Sequence, residues 1–227
     1  QMNGRQVAIV TFGGLGVLIA ASVLAFVVAL TGELKPEDGA ALLAVAGLFP
    51  MAALLLWAYG WALATSEEPE LLLGLARLQD RWAAIAVGGG FVVAGTSWVI
   101  VTATSPWLGI PFNVFDELLG KVDEVTIPLI LVLLFVGVVL APLWEEIVFR
   151  GAIYGWLRRH LGVGLSAVIV AVLHAVIHLD LAVIPALVVV FVVFALLYEW
   201  SGNLWVPILA HAVNNTLSFV WVFWQLG

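Results

Sequence analysis

Two adjacent glutamates and an arginine stand inside an otherwise apolar run, Pro142-Leu143-Trp144-Glu145-Glu146-Ile147-Val148-Phe149-Arg150-Gly151. In a helix Glu146 and Arg150 are four residues apart, so they share a face and can pair, while Glu145 points about 100° round the axis. One acid therefore has a partner and the other is free to work. Two further pairs repeat the spacing of four, His174 with His178 and His211 with Asn215, and each pair falls on one face of its helix. A carboxylate beside an imidazole can take a proton from water, and a further imidazole with an amide can donate hydrogen bonds to a developing oxyanion. Together they make a site for attack of water on a carbonyl, with no serine, threonine or cysteine nucleophile. Ser166 and Ser218 lie in the same helices without a motif and read as packing residues. Zinc bound through two histidines and a carboxylate is the alternative. The H-E-x-x-H arrangement is missing and the His174/His178 spacing alone is weakly specific, so the expectation is a site without metal.

The elements that must position these groups are membrane helices. Of 227 residues, 64% are hydrophobic and 10% are charged, with a mean hydropathy of +1.17. This is the composition of an integral membrane protein, and the length suits one domain, residues 1–227, with a motif-bearing core over about 127–225. The expected fold is an all-α polytopic bundle of about seven spans plus interfacial helices. There is no cysteine, which excludes disulfides and thiolate chemistry. The net charge of −7 and the lack of a basic run give no sign of a nucleic-acid partner. Membrane lipids are the expected surroundings.

Apolar runs place spans over residues 7–30, 40–64, 83–104, 127–160, 163–180, 181–199 and 205–224. The first follows Arg5 and is too long for the apolar core of a signal peptide, so it reads as a retained span. Residues 66–82 read as an amphipathic helix at the interface or, equally, a plain connecting helix, with Leu72, Leu75 and Leu78 opposite Arg77, Gln79 and Arg81. Residues 105–126 read as a further surface helix that could cover a substrate entrance. Pro142 is the expected bend of the fourth span. Gly13, Gly14, Gly16 and Gly88 to Gly90 read as close approaches between helices, since no phosphate-loop context surrounds them. Arg5, Arg77, Arg81, Arg158 and Arg159 fall on one side of this layout, against Lys35 and Lys121 on the other, which puts the amino terminus in the cytoplasm. Counted inward from that side at 1.5 Å per residue, Glu145 lies roughly 20 Å deep and His178 roughly 22 Å, with His211 roughly 12 Å and Asn215 roughly 18 Å in. Ionisable groups at such depth are costly unless paired or facing a wet cavity, and they mark function.

These residues resemble a known family. Glu145-Glu146-Ile147-Val148-Phe149-Arg150 fits an EExxxR motif, His211-Ala212-Val213-Asn214-Asn215 fits HxxxN, and His178 takes the histidine of FxxxH. The chain resembles, over about 140–220, the CAAX prenyl proteases and bacteriocin-processing enzymes, the CPBP group of glutamate-type intramembrane proteases. The resemblance implies that Glu145 activates water with help from His178, and that His211 and Asn215 form the oxyanion hole. Glu146 and Arg150 would hold the helix and the first carboxylate in place. The phenylalanine of FxxxH is His174 here, a departure that ranks His174 as a supporting residue, either a second proton carrier or a metal ligand. Asn214 is a lesser candidate. The implied substrate is a peptide or protein, lipidated for some members. Other members act as immunity proteins or membrane scaffolds without proven proteolysis. The intact polar set argues against a scaffold, and a proton-coupled carrier is disfavoured by the lack of an internal repeat. The short loops and the lack of a eukaryote-style extension suggest a prokaryotic cell membrane.

Overall fold

The computed structural model describes residues 2–30, 48–109 and 127–226. Helix follows wherever long uncharged runs leave the backbone to satisfy its own hydrogen bonds inside lipid. Among the described residues the long helices are α1 (residues 4–30), α2 (Phe49–Thr65), α3 (Asp80–Leu108), α4 (residues 127–161), α5 (Val163–Val176), α6 (Ile184–Ser201) and α7 (Trp205–Leu226). No strand occurs among them. Among the described residues four segments are long and apolar enough to cross a membrane: Gly4–Leu24, Asp80–Leu108, Ile130–Leu161 and Ile184–Ser201. The fold is an all-α polytopic bundle. α2 and α5 are apolar but shorter.

Three boundaries differ from the sequence expectation. Residues 66–82 do not form an interfacial helix: only Pro69–Leu72 makes a turn of helix. Gly74 then adopts a positive φ of 79°, a conformation open to glycine that breaks the helical register. Leu72, Leu73 and Leu75 pack into the protein core instead of facing lipid. The fifth helix ends at Val176, not 180, and His178 lies in the turn after it. Asp180 organises that turn, accepting from Ala182 N at 2.9 Å through Oδ1 and from Val183 and Ile184 through its carbonyl. Pro185 then opens α6 in its first turn, where a missing N–H costs nothing. The third span continues to Leu108, closed by Gly109 at a φ of 64°. Of the entrance cover expected at 105–126, residues 105–108 belong to this helix, whereas 110–126, like Lys35 and Lys121, lie outside the described residues.

Small residues let the helices close. Ala86 and Val93 of α3, Ala171 and Ala175 of α5, Phe191 and Phe194 of α6 and Ala210 of α7 share one core cluster. A Cβ on Gly90 would stand 2.6 Å from Val213 Cβ and 2.8 Å from the Ala210 carbonyl, so α3 and α7 meet there as no larger residue permits. Gly13 lies under Trp57 and Gly14 under Trp144, whereas Gly16 and Gly88 face open space. At one end of the bundle Arg159 donates to the Met2 carbonyl and Arg158 pairs with Glu199. Asn203 donates there to the carbonyls of Ala76 and Arg77. The arginine-rich segments of the chain are thus gathered at that end.

Candidate active site

α4 supplies the acids. Its hydrogen-bonding widens to i→i+5 over Phe135–Leu140 and again over Ile147–Tyr154, leaving Ala141–Glu146 between two wide stretches. Such widened turns recur at functional sites. The first has a visible consequence. Ala141 N–H donates five residues back, to Val136, so the Gly137 carbonyl falls due to residue 142, which is a proline with no N–H to give. Asn215 of α7 fills the gap, donating from Nδ2 to Gly137 O at 2.8 Å. One carboxamide proton is used and the other remains available. Asn214 Nδ2 donates to Asn215 Oδ1 at 3.1 Å, which settles the orientation of the amide.

Arg150 is fully buried and stands at the centre of the site. Its Nη1 donates to Glu146 Oε1 at 2.9 Å and to His174 Nδ1 at 2.8 Å, and its Nη2 donates to the Phe191 carbonyl at 3.0 Å. A guanidinium has only donors, so the nitrogen of His174 that faces it is the bare one and the ring proton sits on Nε2. That N–H donates to Glu145 Oε2 at 2.8 Å. The His174 ring lies flat between Phe149, at 3.9 Å and 7°, and Phe191, at 3.7 Å and 5°.

Glu146 Oε1 accepts a second bond, from His211 Nδ1 at 2.9 Å. A carboxylate can only accept, so His211 carries a proton on Nδ1, and its Nε2 lies 3.8 Å from Glu145 Oε2. His178 Nδ1 donates to the His174 carbonyl at 2.9 Å. Ligating atoms of Glu145, His174 and His178 all lie within 4.8 Å of one another. Glu145 keeps 18% of its side-chain surface exposed, whereas Glu146 has none. The free acid is the accessible one.

The structure thus brings Glu145, Glu146, Arg150, His174 and His211 into one network and sets His178 beside it. Asn215 is held by the α4 backbone, and no hydrogen bond among the described residues joins it to Glu145 or to a histidine. The motif resemblance ranked His174 below His178, yet His174 makes the shorter-range contact with Glu145. The aromatic walls Phe149 and Phe191 and the Gly137 carbonyl were not singled out from sequence. Only the substitution of histidine for the motif phenylalanine gave a signal. A cavity of about 280 Å³ lies elsewhere, at the arginine end, lined among others by Tyr154, Arg158, Tyr198 and Glu199.

Of these side chains His174 suits a metal least. A metal-bound histidine needs a bare ligating nitrogen and gives its other N–H to an acceptor. His174 has the reverse arrangement, its Nδ1 turned to an arginine donor and its Nε2 protonated. Glu145, His178 and His211 keep the arrangement of ligands, each of the two imidazoles giving its Nδ1–H to an acceptor.

A first prediction concerns Gly137, where a Cβ would meet the Phe219 ring at 2.6 and 2.9 Å. Gly137→Ala must turn that ring or part α4 from α7. The expected cost is about 1–3 kcal/mol of stability, read by thermal unfolding in detergent, together with a reduced reaction rate as the Asn215 anchor loosens.

Residues 127–217 match the family model described as type II CAAX prenyl endopeptidase Rce1-like. The match spans all seven residues singled out from sequence and bears out the resemblance drawn from the three motifs. YdiL of Bacillus subtilis, a membrane peptidase by its name, is 31% identical over 88 residues, covering 39% of this chain and 36% of that protein. The membrane-embedded CAAX protease MroQ of Staphylococcus aureus is 32% identical over 102 residues, covering 42% of this chain and 40% of that protein. The matched stretches thus span less than half the length of these relatives. No solved structure matches.

Proposed function

We propose that this chain, carrying a type II CAAX prenyl endopeptidase-like segment, is an intramembrane endopeptidase in which Glu145 activates water against a peptide bond. The observation that carries the reading is the carboxylate of Glu145, accessible, hydrogen-bonded to one imidazole at 2.8 Å and 3.8 Å from a second. Glu145 takes a proton as water attacks the carbonyl carbon, with His178 assisting. The second amide proton of Asn215 serves the oxyanion. In this reading His211 takes the proton from Glu145 at Nε2 and joins the oxyanion hole as an imidazolium. Its imidazolium, braced by Glu146, then donates to the oxyanion and protonates the leaving amine as the C–N bond breaks. The reaction so written needs no metal. The substrate is a peptide or protein, and apolar surroundings suit a lipidated one. The arginine end faces the cytoplasm.

The test is a purified chain in vesicles, offered CAAX-type peptides with and without a lipid group, with products read by mass spectrometry. Discrete fragments are expected, at a rate unchanged by chelators. Loss of activity restored by zinc alone would replace the metal-free reading. Failure to cleave any peptide, with the biological effect of the chain surviving Glu145 substitution, would favour a scaffold.

A further inference from the structure

His174 stands where the resembled motif has phenylalanine, and it keeps the packing role of that ring. It is fully buried, with both faces covered by Phe149 and Phe191. Unlike phenylalanine it also bridges two charged groups, accepting from Arg150 at one nitrogen and donating to Glu145 from the other.

We infer that His174 is a positioning residue for the general base, a fixed N–H donor that holds Glu145 Oε2 and leaves Oε1 to face water. The inference rests on the reading of Glu145 as that base. Geometry separates this role from the two others open to a histidine. A proton carrier needs a lone pair to receive a proton, and the lone pair of His174 is covered by the guanidinium of Arg150. A metal ligand needs a bare Nε2, and that nitrogen holds the proton given to Glu145. Rotation of the ring would break the arginine contact, the carboxylate contact or the stack. The ring therefore acts as a rigid extension of Arg150, whose Nη1 also grips Glu146, the carboxylate that fixes the His211 tautomer. A single guanidinium thereby sets the proton positions of two imidazoles.

The experiment uses the full chain in vesicles with His174→Phe, His174→Gln and, in parallel, Glu145→Gln. His174→Phe keeps an aromatic ring between the two walls but removes the donor. It is expected to lower kcat roughly 10- to 100-fold, the worth of one hydrogen bond to a charged group, with KM unchanged. His174→Gln offers an amide N–H at similar reach and is expected to recover part of that loss. Nitrogen-15 NMR of labelled histidine is expected to show His174 as the neutral Nε2–H form, whatever the activity. Full kcat in His174→Phe, with Glu145→Gln inactive, overturns the inference and leaves the proposed function standing. A His174→Gln variant that folds and is no better than His174→Phe also overturns it, as does a proton found on Nδ1. Full activity in Glu145→Gln sinks the underlying reading instead.

Discussion

Glu145→Gln is expected to slow cleavage by roughly 10²- to 10⁴-fold, the usual contribution of a positioned general base, without loss of folding. Glutamine has nearly the shape of glutamate, and its carbonyl oxygen can accept the His174 N–H that now reaches Oε2. The network behind the residue is unaffected, because Arg150, Glu146 and His211 do not rely on Glu145 for their pairing. What disappears is a group able to take a proton from water. Turnover in vesicles and thermal unfolding should therefore part company, the first collapsing and the second barely moving. Wild-type turnover in this variant would remove Glu145 from the chemistry altogether.

Arg150→Met is expected to have the largest effect on stability, about 3–5 kcal/mol, the cost of leaving one member of a buried charge pair alone. The methionine fills part of the volume but strands three acceptors at once: Glu146 Oε1, His174 Nδ1 and the Phe191 carbonyl. Arg150 also lies over the rings of Phe191 and Phe194, at 5.1 and 5.5 Å from their centroids, so packing is lost with the charge. Arg150→Lys keeps a cation but not the fork that reaches Glu146, His174 and Phe191 together. It is expected to fold with lower stability and to lose activity, since the tautomers of both imidazoles depend on that fork. Thermal unfolding in detergent and the yield of folded protein measure the first effect, and turnover of the lysine variant measures the second.

Some of this was legible in the sequence because it is local. The pairing of Glu146 with Arg150 follows from helical spacing alone, and the structure gives it at 2.9 Å. Apolar runs between charged loops were enough for an all-α membrane bundle. Other features depend on where helices stop and how they pack. Counting depth at a constant rise put His178 on a helix with His174, but Asp180 and Pro185 turn the chain early and leave His178 outside it. Which imidazole reaches Glu145 is decided by α5 packing against α4, and no spacing rule encodes that contact. The leucines of 66–82 have the periodicity of a helix lying on lipid, and the same periodicity serves residues tucked into protein. The backbone of Gly74 decides between them. The two wide stretches of α4 carry no residue pattern that names them, although Pro142 lies just after the first.

α5 has 14 residues, a length of about 21 Å against a hydrocarbon thickness of about 30 Å. The connection to α6 that follows so early carries Ile177, Leu179 and Leu181, which are all exposed. A span shorter than the hydrocarbon layer draws the bilayer thinner around it. On the proposed reading, the depth at which a scissile bond is held is set by the missing turns of one short rod as much as by the acid itself.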